Sequence, residues 1–142
     1  MINGSITHPE VLRALASSGH TGKILITDAH FPISTGVAPG VPRVFLNYAP
    51  NLLRVADVLR PLINAAPIEE AWGAVHDDGR LPDIWPEYVE ILPKHVKLSQ
   101  VRASDLGEKV ADPGMALVIV TGEIRTHACL ILSLGLRKPD AG

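Results

Sequence analysis

Cysteine is almost absent: Cys129 is the only one in 142 residues. No internal disulfide can form, so packing alone must hold the fold, which suits a reducing compartment. Aromatic residues make up 4%, which leaves Leu, Ile, Val and Ala to build the core. No charge of one sign dominates: 13 Lys and Arg against 15 Asp and Glu give a net charge of −2. Without a basic run or an acidic tail, the chain lacks the electrostatic footprint of a nucleic-acid binder or of a protein held on an anionic membrane. Long apolar runs are missing too. Stretches such as Met115 to Val120 fall far short of the ~20 residues of a membrane helix. The N-terminus has no basic segment leading into an apolar one, so no signal peptide is expected, and the expected location is the cytoplasm.

What is present is enough for one core. Hydrophobic residues make up 46%, and the length predicts one domain over residues 1–142. Thr7-His8-Pro9-Glu10 reads as a helix start with Thr7 as cap, and Val11, Leu12, Leu15 and Ala16 recur at helical spacing before Gly19. Lys23 to Thr27 is a β-branched apolar run, read as a buried strand ending at Asp28. The proline- and glycine-rich stretch from Ala29 to Arg43 reads as a long loop, and Val44 to Leu46 as a short strand. Asn51 is the expected cap of a second helix that carries Leu52 through Leu62. Ile68 to Val75 is left open between strand and loop, and Asp77-Asp78-Gly79 is a turn. A helix is expected from Trp85 to Leu92, a strand from Val96 to Val101 and a helix from Ser104 to Val110. Two further strands are expected from Ala116 to Thr121 and from Cys129 to Leu134. Lys138 to Gly142 reads as a frayed tail. Apolar strands alternating with helices predict an α/β layered domain, with a central sheet flanked by helices.

Ligands of open α/β sheets sit beyond the carboxyl ends of strands. Asp28 and Gly122-Glu123 follow predicted strands, and His20 lies between the first helix and the first strand. The negative end of the helix favours an imidazolium at His20, and a nearby Asp28 would do the same. That suits a residue that gives and takes protons, against the plainer reading of a surface histidine. Asp28 could orient His20, accept hydroxyls of a ligand, or cap the turn that follows it. The remaining histidines show no i, i+4 pair on a clear helix, and there is no second cysteine, so no metal is expected. Gly19-His20-Thr21-Gly22 is not a phosphate loop. Cys129 reads as a buried structural residue.

The stretch from Leu15 to Pro32 resembles the N-terminal signature of the ribose pyranase/fucose mutarotase family. It has Gly19-His20, a short turn, a hydrophobic strand, Asp28-Ala29, and one residue before Phe31-Pro32. Thr121-Gly122-Glu123 is similar to the family's late Thr-Gly-Glu. Pro67-Ile68-Glu69 and Ile84-Trp85-Pro86-Glu87-Tyr88, continuing to Ile91-Leu92, resemble segments of the fucose branch. The resemblance implies interconversion of anomers or ring forms of a free, L-fucose-like or ribose-like aldose, without a cofactor. It implies His20 as acid and base, Asp28 as a sugar ligand, and Glu69 where the fucose branch has a sugar-contacting aspartate one methylene shorter. Trp72 or Trp85 would stack on the sugar, and Arg125 is a further candidate contact.

Two departures stand out. His127-Ala128-Cys129 replaces the family's late Tyr-x-Asn, so His127 and Cys129 occupy sugar-contacting positions. Asp105 and Gly107 fall near the position where the ribose branch has a histidine and the fucose branch a tyrosine, and three residues are inserted near Asp112-Pro113-Gly114. The family implies a homo-oligomer, a pentamer or decamer, with sites at subunit interfaces. His20 and Asp28 of one subunit would then line one cleft and face late-segment residues of a neighbour. The competing readings are a sugar-binding protein without turnover, acting as sensor or transport partner, and a metal-assisted enzyme using His20, His127 and a carboxylate.

Overall fold

A computed structural model describes residues 1–140; the last two residues of the expected tail lie outside them. The elements are α1 (Pro9–Ser18), β1 (Lys23–Thr27), α2 (Ile33–Gly36), β2 (Arg43–Phe45), α3 (Val55–Ala65), β3 (Ile68–Val75), α4 (Trp85–Ile91), β4 (Lys97–Arg102), α5 (Ala103–Val110), β5 (Met115–Val120) and β6 (Leu130–Leu134). The strands form one six-stranded sheet in the order β2-β5-β1-β6-β3-β4.

β2, β5 and β1 run parallel, as do β3 and β4, while β6 runs antiparallel between β1 and β3. Five strands therefore share one carboxyl edge, and β6 begins there. The most apolar runs, β1, β5 and β6, form the middle of the sheet, where both faces are covered. Side chains alternate between two cores. Ile24, Ile26, Ile119 and Leu132 pack beneath α1, α3 and α4. Leu25, Val118 and Ile131 face α5 and the loop after β1. The expected α/β layers are thus the observed ones. No helix among the described residues is long and apolar enough to cross a membrane.

The structure corrects several boundaries. His8, not Thr7, caps α1: its Nδ1 accepts from the backbone N–H of Glu10 at 3.2 Å and of Val11 at 3.4 Å. Pro9 occupies the first helical position, which makes the residue before it the cap. α3 starts at Val55 rather than after Asn51, because Asn51 has φ +64°, outside the helical region. The Arg54 N–H instead donates to Asp57 Oδ2 at 2.8 Å and opens the helix. The long loop after β1 contains a single helical turn, α2. Ile68–Val75 resolves as strand. Gly73 is needed there because a Cβ would stand 2.6 Å from Trp85 Cζ3.

Candidate active site

The predicted site residues separate into two groups, one at each end of β1. His20 lies before the strand and Asp28 directly after it. Five extended residues put roughly 17 Å between the two ends. Asp28 therefore neither orients His20 nor shares a cleft with it inside one chain.

At the amino end, α1 stops at Gly19, φ +76°, and the chain turns sharply through Thr21, φ +68°. His20 projects between them. Its Nε2 lies 2.9 Å and 3.1 Å from the two carboxylate oxygens of Glu69, the second residue of β3. A carboxylate only accepts, so Nε2 carries the hydrogen, and in the neutral ring Nδ1 keeps its lone pair. Both side chains face solvent. Beside them opens a groove of about 490 Å³, with Leu12, Leu15, Ala16, Leu134 and Leu136 in its largely apolar wall.

At the carboxyl edge, Asp28 is only 4% exposed. Its Oδ1 accepts from the N–H groups of His30 (2.9 Å) and Phe31 (3.0 Å), and its Oδ2 from the N–H of Ala128 (3.1 Å). Three of about four lone-pair positions are thus taken by backbone. Asp28 caps the turn after β1 and ties it to the segment entering β6. The Cys129 thiol is buried against Asp28, and burial together with that charge pushes its pKa far up. It stays a neutral thiol and presents no polar group to solvent.

Thr121 donates its hydroxyl to the Thr27 carbonyl at 2.7 Å and accepts from the Glu123 N–H at 3.2 Å. Glu123 is 1% exposed. Burial raises its pKa, but hydrogen bonds and charge from Arg125 outweigh that and hold it below the usual carboxylate range. Arg125 donates Nε to Glu123 Oε1 at 2.8 Å, Nη2 to Glu123 Oε2 at 3.0 Å, and Nη1 to the Glu87 carboxylate. The expected sugar contact is a charge clamp: it locks the loop before β6 onto α4, and three of its five N–H donors are occupied.

His127 adopts φ +60° and stacks on His76, with ring centroids 3.9 Å apart and an interplanar angle of 27°. The His127 Nδ1 is buried without a partner among the described residues. Arg80 Nη2 donates to His76 Nδ1 at 3.1 Å. A polar cleft of about 300 Å³ lies alongside, between His76, Arg80, Asp83, Arg125 and Thr126. The Tyr88 hydroxyl is buried and also lacks a partner among the described residues. Burial first, then the nearby Cys129, Asp28 and Glu123, push its pKa well up.

The other candidates lie apart from both groups. Trp85 packs over Gly73 and meets Tyr88 edge-on at 6.0 Å, so its ring is used in packing. Trp72 lies in the opposite core layer, and Lys109 Nζ covers it 4.2 Å from the ring centre. Asp105 borders a separate surface recess with Glu108, Lys109 and Asp112. Sequence reasoning did not single out Tyr88, Arg80 or Glu87 as site residues. It weighed His76 only as a metal ligand, although its place just after β3 at the carboxyl edge was a usable signal.

A mixed sheet in this order, layered by helices and carrying an exposed imidazole–carboxylate pair, defines a small α/β protein. The chain belongs to the RbsD / FucU transport protein family, which matches residues 1–137. It is 30% identical over 122 residues to a D-ribose pyranase of Coprothermobacter proteolyticus, covering 86% of this chain and 88% of that protein. A D-ribose pyranase of Variovorax paradoxus is 29% identical over 137 residues, covering 93% and 96%. Among solved structures, Bacillus subtilis RbsD complexed with D-ribose superposes with a TM-score of 0.82 at 24% identity, covering 97% of this chain and 100% of that one. The fucose mutarotase from Streptococcus pneumoniae in complex with L-fucose gives 0.77 at 19% identity, covering 96% and 98%. At these identities the two structures speak for the fold.

Proposed function

We propose that the protein is an isomerase that interconverts anomers or ring forms of a free aldose, ribose-like or L-fucose-like, with His20 as acid and base. The observation that carries this reading is the His20–Glu69 pair at the mouth of an open groove. Relatives that bear the names D-ribose pyranase and fucose mutarotase support it.

The chemistry needs only proton transfer. Nδ1 of His20 takes the proton from the anomeric hydroxyl. The C1–O bond to the ring oxygen breaks as the C1 carbonyl forms, and the ring oxygen takes the proton that the His20 imidazolium gives up. Rotation about C1–C2 and reclosure reverse these steps and return His20 to its starting state. Glu69 fixes the tautomer and offsets the imidazolium charge while it lasts.

Because β1 separates His20 from Asp28, one sugar meets both groups only between two copies. The reading therefore includes a homo-oligomer, a pentamer or decamer, in which the His20 groove of one copy faces the carboxyl edge of the next. His127, Asp28 and the cleft beside His76 then supply hydroxyl contacts. A lone, buried Cys129 suits the cytoplasm.

The replaced Tyr-x-Asn favours a second reading, a sugar-binding protein without turnover, because Cys129 is buried and offers no polar contact. Saturation-transfer NMR over ribose, fucose, galactose and related aldoses separates the two. Exchange faster than in solvent, lost in His20→Ala, is the expected result. Binding without faster exchange establishes the second reading and overturns the first.

A further inference from the structure

The residue that meets His20 is the extra residue of a β-bulge. Along β3 and β6, Glu70 pairs with Ser133, Ala71 with Leu132 and Trp72 with Ile131, one residue against one. Before Glu70 the register slips, and Ile68 pairs with Leu134. Glu69 is therefore left without an opposite residue on β6. The packing bears out the slip. In a regular strand Ile68 would share a face with Trp72 and Ala74, which lie in the layer facing α5. Instead it packs in the opposite layer with Ala71. A bulge re-aims side chains, because a one-residue slip turns over the faces of a strand. Here Ile68 stays buried while Glu69 turns out to His20.

Two residues that the proposed chemistry does not use hold this bulge. Gly135 directly follows β6, and its N–H donates to the Pro67 carbonyl at 2.8 Å, which carries the slipped register outward. A Cβ on Gly135 would stand 3.3 Å from Glu69 Cβ and 3.5 Å from the Glu69 backbone nitrogen. β6 lies between β3 and β1, so the Glu69 side chain reaches His20 across the end of β6. A larger residue in place of Gly135 would crowd that crossing. His95 lies between α4 and β4. β4 pairs with β3 from Glu70 onward. Before that point His95 takes its place: its Nε2 donates to the Ile68 carbonyl at 3.2 Å.

We propose that Gly135 and His95 are positioning residues, which together hold the Glu69 bulge so that its carboxylate is presented to His20. This rests on the His20–Glu69 reading of the site given above and names the parts that set its geometry. Neither residue acts through contact with a sugar. Gly135 has no side chain to offer, and His95 is not among the residues that wall the groove. Gly135 keeps the crossing over β6 open, and His95 fixes the peptide group that leads into Glu69. Without them a solvent-facing glutamate side chain regains its rotamer freedom. Nε2 of His20 then loses its acceptor for part of the time, and with it the tautomer that leaves Nδ1 free to take a proton.

The ring-nitrogen NMR resonances of His20 read the pair directly, at about pH 8, above the ordinary imidazole range. Glu69→Ala defines the signal of the unpaired ring. Gly135→Val and His95→Ala are expected to move the His20 signal toward it and to lower aldose exchange by about tenfold, as misplacement of a supporting group does. His95→Gln returns an N–H donor to the Ile68 carbonyl and should restore both readouts. Placed in the Glu69→Ala chain, neither Gly135→Val nor His95→Ala should lower exchange further, because residues that act through one group are not additive. Gly135→Ala is the milder substitution if melting curves show that Gly135→Val unfolds. A wild-type His20 signal in the folded variants, a His95→Gln protein no better than His95→Ala, or an equal loss of exchange with and without Glu69 overturns the proposal. The ring signal needs no substrate. A wild-type protein that exchanges no aldose therefore defeats the catalytic reading, while the His20 signal still decides the positioning.

Discussion

Nε2 of His20 lies 2.9 Å from Oε2 of Glu69, and the pair spans the gap between the end of α1 and the start of β3. Both partners are more than a third exposed, so the pair contributes under about 1 kcal/mol to stability. Its value lies in orientation and in offsetting the imidazolium charge. Glu69→Gln should therefore leave thermal unfolding almost unchanged and lower aldose exchange by about tenfold, while His20→Ala loses roughly 100- to 10,000-fold. Exchange rates by saturation-transfer NMR beside melting curves check this. A Glu69→Gln protein with wild-type exchange removes the pair from the reaction.

Asp28 makes the opposite prediction. Its oxygens accept three backbone N–H groups, and Asn replaces one acceptor with a donor. Asp28→Asn should cost about 2 kcal/mol, because a buried N–H then faces an NH₂. Chemical denaturation measures this, and exchange should fall along with stability.

Arg125 holds a buried charge. Arg125→Met leaves Glu123 ionised without its main partner and should cost about 3 kcal/mol near neutrality. The pH dependence should weaken. In the wild type the Glu123 pKa is depressed by Arg125, so its contribution is present above about pH 4.3 and lost as pH falls through the lower folded value. In Arg125→Met the guanidinium's bonds and charge are lost while burial and the backbone N–H groups of residue 125 and Val55 remain, so the pKa rises and less stability is lost on acidification. Urea melts between neutral and acid pH test the two slopes.

The raised pKa of Cys129 carries its own sign. Stability from this group is full below the unfolded value of about pH 8.5 and falls above it by up to ~1.4 kcal/mol per pH unit, since only the unfolded thiol ionises. Native protein at about pH 8 should resist a thiol reagent that labels the unfolded chain at once. Rapid labelling of the native state would show that Cys129 reaches solvent.

Gly122 carries the close approach of the Tyr48 loop. A Cβ there would collide with the Ala49 carbonyl oxygen and stand 2.9 Å from that of Leu52. Gly122→Ala should cost about 3 kcal/mol by overpacking backbone against backbone. Melting curves and chemical denaturation measure this.

Local pattern was enough to read β1, β5 and β6. Runs such as Lys23 to Thr27 are apolar and β-branched along their whole length, and strands covered on both faces need that composition. α1 and α4 were legible because spacing and prolines act within a few residues. His20 and Asp28 were misjudged as neighbours because eight positions look close in a sequence, yet five of the intervening residues are extended.

The sequence by itself determined the layered α/β class, the central strands and the family signature around His20, all carried by short-range composition and order. Tertiary structure decided the partners. β6 inserts between β1 and β3, which brings Glu69 to His20 across 49 positions and Ala128 to Asp28 across 100. Such pairings depend on strand order, and no local spacing encodes strand order. The same arrangement sets the two reactive groups at opposite ends of one strand, because an extended backbone has a fixed rise per residue.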